Sequence, residues 1–141
     1  MNDTTTKKRA STRRPKVVIG ETMLARIEAL AEGALRRTPE LADKLLEELG
    51  RARIVPDRKV PATVVTVGSR VTYRDETTGK DQSLTLVFPE QADIDRQRVS
   101  VMTPVGVALI GLAEGATFHW ETRDNQRRTL TVVRVEPPGA A

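Results

Sequence analysis

Few side chains in this sequence stand in patterns that could perform catalysis. His119 is the single histidine, and on an extended strand it would share a face with Glu121, so the two could form an acid–base pair. Neighbours on one strand face need not converge on a substrate, and we interpret His119 as an outer-face residue, with Phe118 and Trp120 facing the core. No serine stands in a nucleophile motif, cysteine is absent, and no G-x-x-x-x-G-K-[ST] phosphate loop occurs. The sequence therefore favours binding over catalysis.

Two charged clusters could instead bind ions or charged partners. Glu90, Asp93 and Asp95 lie close together, but the segment lacks the glycine and the terminal glutamate of a calcium-binding loop, which favours a solvated loop. Arg36 and Arg37 stand between two segments of helical periodicity, where they could contact phosphates or acidic side chains, or form an ordinary solvated turn. We predict no metal site and no cofactor.

The net charge of +4 is concentrated at the N-terminus. Residues 1–16 carry six basic side chains against one acidic, a balance of +5, whereas the rest of the chain has a balance of −1. Such a tail could make a weak contact with nucleic acid, although we expect residues 1–16 and residues 137–141 to be disordered. No apolar run approaches the roughly 18–20 residues of a membrane span, and no signal-peptide pattern is present. We therefore expect a cytoplasmic protein without membrane contact.

The elements that position these residues begin with two helices. Two series of apolar residues recur at helical spacing, and they are Met23, Ile27, Leu30 and Ala34, then Leu41, Leu45, Leu49 and Ala52. Between them, Thr38 is a candidate helix cap, followed by Pro39 in the first turn. We predict an antiparallel helical hairpin over residues 17–54, with residues 17–20 as an extended lead-in, and a linker rich in proline and charge over residues 55–62.

Residues 63–136 have the alternation and turn signals of strands. Strands are predicted at residues 64–67 and 98–102, and two hairpins are predicted, one around Thr78-Gly79 and one around residues 123–126. The apolar segment 103–112 predicts one short helix, with Thr103 as its cap and Pro104 in its first turn. The predicted fold class is α+β, an antiparallel sheet curled around one short helix and preceded by the helical hairpin.

Residues 100–111 carry a longer motif, Ser-Val-Met-Thr-Pro-Val-Gly-Val-Ala-Leu-Ile-Gly. It resembles the S-x-x-[ST]-P-x-G-x-A-L-[LI]-G signature of the GreA/GreB family of transcription elongation factors. Residues 67–71, Gly115 and the final hairpin also match that family in order and spacing, so the resemblance covers about residues 17–136. It implies an FKBP-like fold for residues 63–136 and a coiled coil for residues 17–54. The shortness of the coiled coil is similar to that of the Rnk subgroup, whose members are described as regulators of nucleoside diphosphate kinase.

The resemblance implies that RNA polymerase is the partner. Gre factors insert a long coiled coil into the secondary channel of the polymerase, and acidic residues at its tip hold Mg²⁺ and its water for cleavage of backtracked RNA. The region around Pro104 is the part implied to dock on the polymerase. The docking residues we expect are Ser100, Met102, Thr103, Pro104, Val105, Gly106, Ala108, Leu109 and Gly111.

The tip of the predicted hairpin departs from the family pattern. Arg36 and Arg37 stand where Gre factors present acids, flanked by Glu32 and Glu40, and Glu40 suits the positive end of the second helix. We therefore expect a monomeric, non-enzymatic regulator that docks near the secondary channel, competes with Gre factors and does not stimulate transcript cleavage. Two alternatives remain open: an FKBP-like peptidyl-prolyl isomerase or peptide-binding module, by analogy of fold alone, and a nucleic-acid binder acting through residues 1–16.

Overall fold

A helical hairpin begins the part of the chain that the computed structural model describes, which is residues 16–121 and 126–139. Helix α1 spans Glu21–Ala34 and helix α2 spans Pro39–Gly50. Ile27, Leu45 and Leu49 are buried, so the predicted apolar stripes do face the interior. The two helices and the hairpin are confirmed, but α2 ends at Gly50, so Ala52 of the predicted stripe lies beyond the helix.

The predicted cap of the second helix is wrong. Pro39 is the first residue of α2, but the Thr38 side chain accepts no hydrogen bond from the helix. Its hydroxyl instead donates to the carbonyl oxygen of Ala34 at 3.4 Å, and the backbone N–H of Thr38 donates to the same oxygen at 2.9 Å. Thr38 therefore satisfies the carboxyl end of α1, where free carbonyl groups need donors, rather than the amino end of α2.

Two short strands close the base of the hairpin; the first lies in the predicted extended lead-in, whereas the second strand and the pairing were not predicted. Strand β1, Val18–Gly20, pairs in parallel with strand β2, Arg53–Val55. In the predicted linker, Asp57–Lys59 forms a 3-10 turn, and Asp57 Oδ1 accepts a hydrogen bond of 2.9 Å from the backbone N–H of Thr22 in the first turn of α1. The hydrogen bonds from Thr22 hold the pKa of Asp57 below its ordinary value. The segment predicted as a linker is therefore part of the hairpin's base.

The second half of the chain forms a five-stranded sheet and one short helix. Its strands lie in the order β5-β4-β3-β7-β6, and their bounds are Arg70–Asp75 for β3, Lys80–Val87 for β4, Arg98–Ser100 for β5, Thr117–Glu121 for β6 and Arg127–Glu136 for β7. Helix α3 spans Pro104–Leu109. Both predicted hairpins are confirmed as antiparallel pairs, but β4 and β5 run parallel, so the sheet is mixed at that edge. Residues 64–67 do not form the predicted strand; Val64 makes an isolated bridge with Ala113.

One hydrophobic core joins the hairpin to the sheet. Ile27 and Leu45 of the hairpin are fully buried in the same cluster as Leu109 of α3, and burial of such a side chain stabilises the fold by about 1.5–3 kcal/mol. The backbone N–H of Val18 also donates to the carbonyl oxygen of Gly111 at 3.0 Å. Gly111 has a φ of +81° and lies against Val17, so a side chain at this position would be strained and would displace the lead-in strand. The hairpin is thus held on the sheet domain.

Several predictions fall outside the described residues. These are the disorder of residues 1–15 and 140–141, and the orientations of the Trp120 and Glu121 side chains. Residues 137–141 were also predicted to be disordered, but Pro138 packs against Gly68. A Cβ added at Gly68 would lie 3.0 Å from the Pro138 side chain. Within the described ranges, the longest helices are too short and too polar to cross a membrane.

Candidate docking surface

The chain between β5 and α3 is locked by two hydroxyl groups. The Thr103 hydroxyl donates to the Ser100 carbonyl oxygen at 2.7 Å and accepts from the Gly106 N–H at 3.1 Å, while Ser100 Oγ accepts from the Met102 N–H at 2.9 Å. The Thr103 cap and Pro104 at the first helical position confirm the predicted helix start. A Cβ on Gly106 would lie 2.5 Å from the Ser100 carbonyl oxygen, so a larger residue does not fit. The first role of this motif is therefore structural, because it fixes the turn between β5 and α3.

Burial divides the predicted docking residues into two groups. Five of them are buried and build the turn or the core, namely Ser100, Gly106, Ala108, Leu109 and Gly111. Four are exposed or half-buried, namely Met102, Thr103, Pro104 and Val105. Docking by this segment stays a prediction, and the second group is the one whose side chains a partner can reach.

A cleft opens beside Pro104 and Val105. It has a volume of about 290 Å³ and lies between the start of α3 and the sheet; the other lining residues are Tyr73, Asp75, Gln82, Arg128 and Leu130. Register brings them together, because Tyr73 pairs with Gln82 across β3 and β4, and Asp75 pairs with Leu130 across β3 and β7. Residues two apart on a strand share a face, so these positions continue the core-facing row of each strand. We call this set of seven residues the cleft.

An ion pair lies at the back of the cleft. Asp75 Oδ2 is 3.2 Å from the Arg128 guanidinium, and Asp75 Oδ1 accepts from the backbone N–H of Thr77 at 2.9 Å. The Asp75 side chain is 10% exposed and that of Arg128 is 37% exposed, so the cation is the member of the pair that faces outward. Burial raises the pKa of Tyr73, and the negative charge of Asp75 raises it further against the opposing effect of Arg128. At neutral pH the Tyr73 hydroxyl is a protonated hydrogen-bond donor.

Sequence reasoning did not assign Tyr73, Asp75 or Arg128 to a site. A signal was present, because Asp75 follows Val71 and Tyr73 in steps of two on β3, and Arg128 precedes Leu130 in the same way on β7. Charged residues on the core-facing row of two neighbouring strands indicate that the sheet extends past the core into a partly solvated pocket.

The hairpin tip presents its charges differently. Glu32, Arg36, Arg37 and Glu40 are all exposed. None of their side chains makes a hydrogen bond or an ion pair with another residue in the described ranges. The tip is therefore an open turn with two arginines at its apex and one glutamate on either side.

The other charged candidates have structural roles. His119 is exposed, and its Nδ1 lies 2.9 Å from the Thr129 hydroxyl oxygen on the neighbouring strand. Asp93 Oδ1 accepts from the Asp95 N–H at 3.1 Å, which caps the 3-10 turn Ile94–Arg96. Within residues 16–121 and 126–139, no group of three or more His, Cys, Asp or Glu side chains could hold a metal ion.

Comparison with known proteins identifies the family of the chain. Residues 60–137 match the family model of the transcription elongation factor GreA/GreB C-terminal region, and residues 15–55 match the model of the Rnk N-terminus. The chain belongs to the GreA/GreB family. The predicted resemblance, including the Rnk-like hairpin, is confirmed.

Individual relatives support the same assignment over most of the chain. The regulator of nucleoside diphosphate kinase of Escherichia coli strain K12 is 36% identical over 123 residues, which cover 87% of this chain and 90% of the relative. Transcription elongation factor GreA of Azorhizobium caulinodans is 33% identical over 101 residues, which cover 72% of this chain and 60% of that protein. A solved GreA/GreB elongation factor from Nitrosomonas europaea has 34% identity and a TM-score of 0.69, with 86% of this chain and 99% of that chain covered. The α+β fold of hairpin and sheet domain is thus shared with a solved family member.

Proposed function

We propose that this protein is a non-enzymatic transcription regulator that binds RNA polymerase near its secondary channel. In this proposal the sheet domain docks, the hairpin occupies the channel entrance, and longer Gre factors are kept out by competition. The observation that carries the proposal is the cleft, with Pro104 and Val105 at its rim, which can receive one or two side chains of a partner and lies in the domain that matches the GreA/GreB model.

The rim of the cleft fits a docking role because it is rigid and accessible. Pro104 is exposed and Val105 is half-buried, while Thr103 and Gly106 fix the backbone between them through the helix cap. A rigid apolar rim loses little conformational entropy when a partner binds.

The hairpin tip supports occupancy of the channel without cleavage. Helix α1 has 14 residues, about 21 Å at 1.5 Å per residue. Its apex exposes Arg36 and Arg37, whose guanidinium groups bind no divalent cation, because such a cation needs oxygen ligands. The carboxylates of Glu32 and Glu40 stand on either side of the apex rather than at it. We therefore propose that the tip blocks the channel and delivers no Mg²⁺ to the polymerase.

The name of the Escherichia coli relative concerns regulation of a kinase. This chain carries no G-x-x-x-x-G-K-[ST] phosphate loop. We propose that any effect on nucleoside diphosphate kinase arises indirectly, through transcription or binding. The protein is proposed to act as a cytoplasmic monomer, with at most a weak contact to nucleic acid from residues 1–16.

A competition assay tests the proposal. Stalled, backtracked transcription complexes are incubated with GreA and increasing amounts of this protein, and the rate of RNA cleavage is measured. We expect cleavage to fall as the protein saturates the polymerase, and we expect Pro104→Glu to lose at least tenfold in potency. Pro89→Glu is a matched control, because Pro89 is also exposed at the start of a short helical turn but lies outside the cleft. Unchanged GreA-dependent cleavage at saturating protein would refute the proposal.

A second assay separates this function from the isomerase alternative. Among the described side chains, Tyr73 is the one aromatic residue that lines the cleft, so we expect no acceleration of proline isomerisation in a peptide substrate. Catalysed isomerisation that is lost in Tyr73→Ala would favour the enzyme instead.

A further inference from the structure

The cleft contains a cation whose hydrogen-bonding capacity is only partly used. A guanidinium group has five N–H donors, and the structure pairs Arg128 with one carboxylate oxygen, Asp75 Oδ2. The other oxygen of Asp75 is occupied by the backbone N–H of Thr77. The aspartate is thus satisfied from within the protein, while Arg128 keeps donors for a ligand.

A second donor lies in the same cleft. The Tyr73 hydroxyl makes no hydrogen bond with another described side chain, and it carries its proton at neutral pH for the reasons given above. Two donors of this kind, one charged and one neutral, suit a carboxylate, which has two acceptor oxygens and binds arginine bidentately.

The remaining walls of the cleft are mainly apolar. Pro104 and Val105 form the side that belongs to α3, and Leu130 lies at the floor of the sheet side. A volume of about 290 Å³ accommodates one or two side chains of a partner. Apolar walls beside positioned polar groups are typical of sites that select one chemical arrangement.

We propose that the cleft binds an acidic residue of RNA polymerase, with Arg128 pairing to its carboxylate and the Tyr73 hydroxyl donating to it. An adjacent apolar side chain of the same polymerase segment packs on Pro104, Val105 and Leu130. Asp75 is a positioning residue that holds the guanidinium. This inference rests on the proposed function and names the chemistry that the docking site selects.

The charges of the cleft favour one carboxylate over a polyanion. Arg128 is the single cation among the described residues that line the cleft, and Asp75 lies 3.2 Å behind it. A nucleic-acid backbone would bring several phosphates toward this aspartate, whereas a single carboxylate meets the exposed side of Arg128 alone.

The test is the affinity of core RNA polymerase for purified variants of this protein, measured by titration with a fluorescent label. We expect Arg128→Gln to raise the Kd by tenfold or more and Arg128→Lys to recover part of that loss. Arg134→Gln is the matched control, because Arg134 is an exposed arginine on the same strand outside the cleft, and its Kd should change less than twofold. Asp75→Asn alone should raise the Kd. Added to Arg128→Gln, it should raise the Kd little further, as expected for a residue that acts through the arginine.

The outcomes distinguish the inference from the proposed function. If Pro104→Glu abolishes binding while Arg128→Gln stays within twofold of wild type, the acid-reading site is wrong and polymerase docking stands. If wild-type protein does not bind the polymerase, the proposed function itself fails. If Arg128→Gln lowers thermal stability, Tyr73→Phe is the deciding variant, because it removes only one hydroxyl group. We expect Tyr73→Phe to raise the Kd for the polymerase about threefold or more. An unchanged Kd would overturn the inference.

Discussion

The cleft and the hairpin tip present charged residues in opposite ways. In the cleft, Arg128 is held by Asp75 at 3.2 Å, and Asp75 is held by the backbone of Thr77. At the tip, Arg36 and Arg37 project from a turn, with no side-chain partner in the described ranges. A positioned, half-buried arginine can discriminate between partners, because the wrong partner leaves it unpaired in a site of reduced solvation.

In the proposed function, this difference assigns recognition of the polymerase to the cleft and obstruction of its channel to the tip. Exposed arginines contribute long-range attraction that salt screens, and they hold no fixed geometry. Under the proposed function, the tip therefore adds charge and bulk, whereas the cleft provides the specific contact with the polymerase. The hairpin presents Arg36 and Arg37 at its turn, and the exposed Glu32 and Glu40 beside them have no partner in the described ranges that would fix their geometry.

The largest contrast is expected from glycine-to-alanine substitutions in the two regions. Gly106→Ala forces a Cβ to within 2.5 Å of the Ser100 carbonyl oxygen, and we expect a loss of about 3 kcal/mol in unfolding free energy. Gly33→Ala, in α1 near the tip, meets nothing within 4 Å and should stabilise the protein by about 0.5–1 kcal/mol. Urea denaturation of both variants measures this. Equal effects would show that the turn before α3 is not the rigid frame of the cleft.

A smaller contrast is expected from removing one charge in each region. Asp75→Asn loses the partner of Arg128, which is about a third exposed, so we expect a destabilisation of about 1–2 kcal/mol after allowance for solvent screening. Glu40→Gln at the tip should change stability by less than about 0.5 kcal/mol. Thermal denaturation of both variants at the same ionic strength measures the two effects. A larger loss of stability in Glu40→Gln than in Asp75→Asn would contradict the difference between the tip and the cleft.

The base of the hairpin, which connects the two regions, should respond to acid. Hydrogen bonds from Thr22 lower the pKa of Asp57 in the folded protein. The stability that they contribute is therefore present above the unfolded value of 3.8 and is lost as pH falls through the folded pKa. Asp57→Asn should flatten this part of the stability curve, measured by denaturation between about pH 5 and pH 2. An unchanged acid limb in the variant would show that Asp57 does not cap α1 in solution.

The smallest effect is expected from the tip arginines. The double substitution Arg36→Ala with Arg37→Ala should leave unfolding free energy within about 0.5 kcal/mol, and it should weaken polymerase binding by less than about threefold at physiological salt. Titration at low and high salt checks this, because the residual effect should vanish at high salt. A loss as large as that of Arg128→Gln would place recognition at the tip.

Local patterns predicted the elements of this fold, whereas contacts between distant residues escaped prediction. The stripe through Ile27 and the Thr103-Pro104 helix start are local, and both are confirmed. Strands β1 and β2 have three residues each and pair across 35 positions, so neither has a period long enough to detect. The Asp57 cap on α1 joins residues equally far apart. The cleft depends on the register of three strands, which a single sequence does not specify.

The most direct test of the docking surface is site-specific photo-cross-linking to RNA polymerase. A photoreactive phenylalanine analogue replaces Gln82, which is exposed and lines the cleft, or Arg134, which is exposed on β7 outside it. We expect strong cross-linking to the polymerase from position 82, suppressed by excess GreA, and little from position 134. Equal cross-linking from both positions, or cross-linking from position 134 alone, would contradict the assignment of the cleft as the docking site.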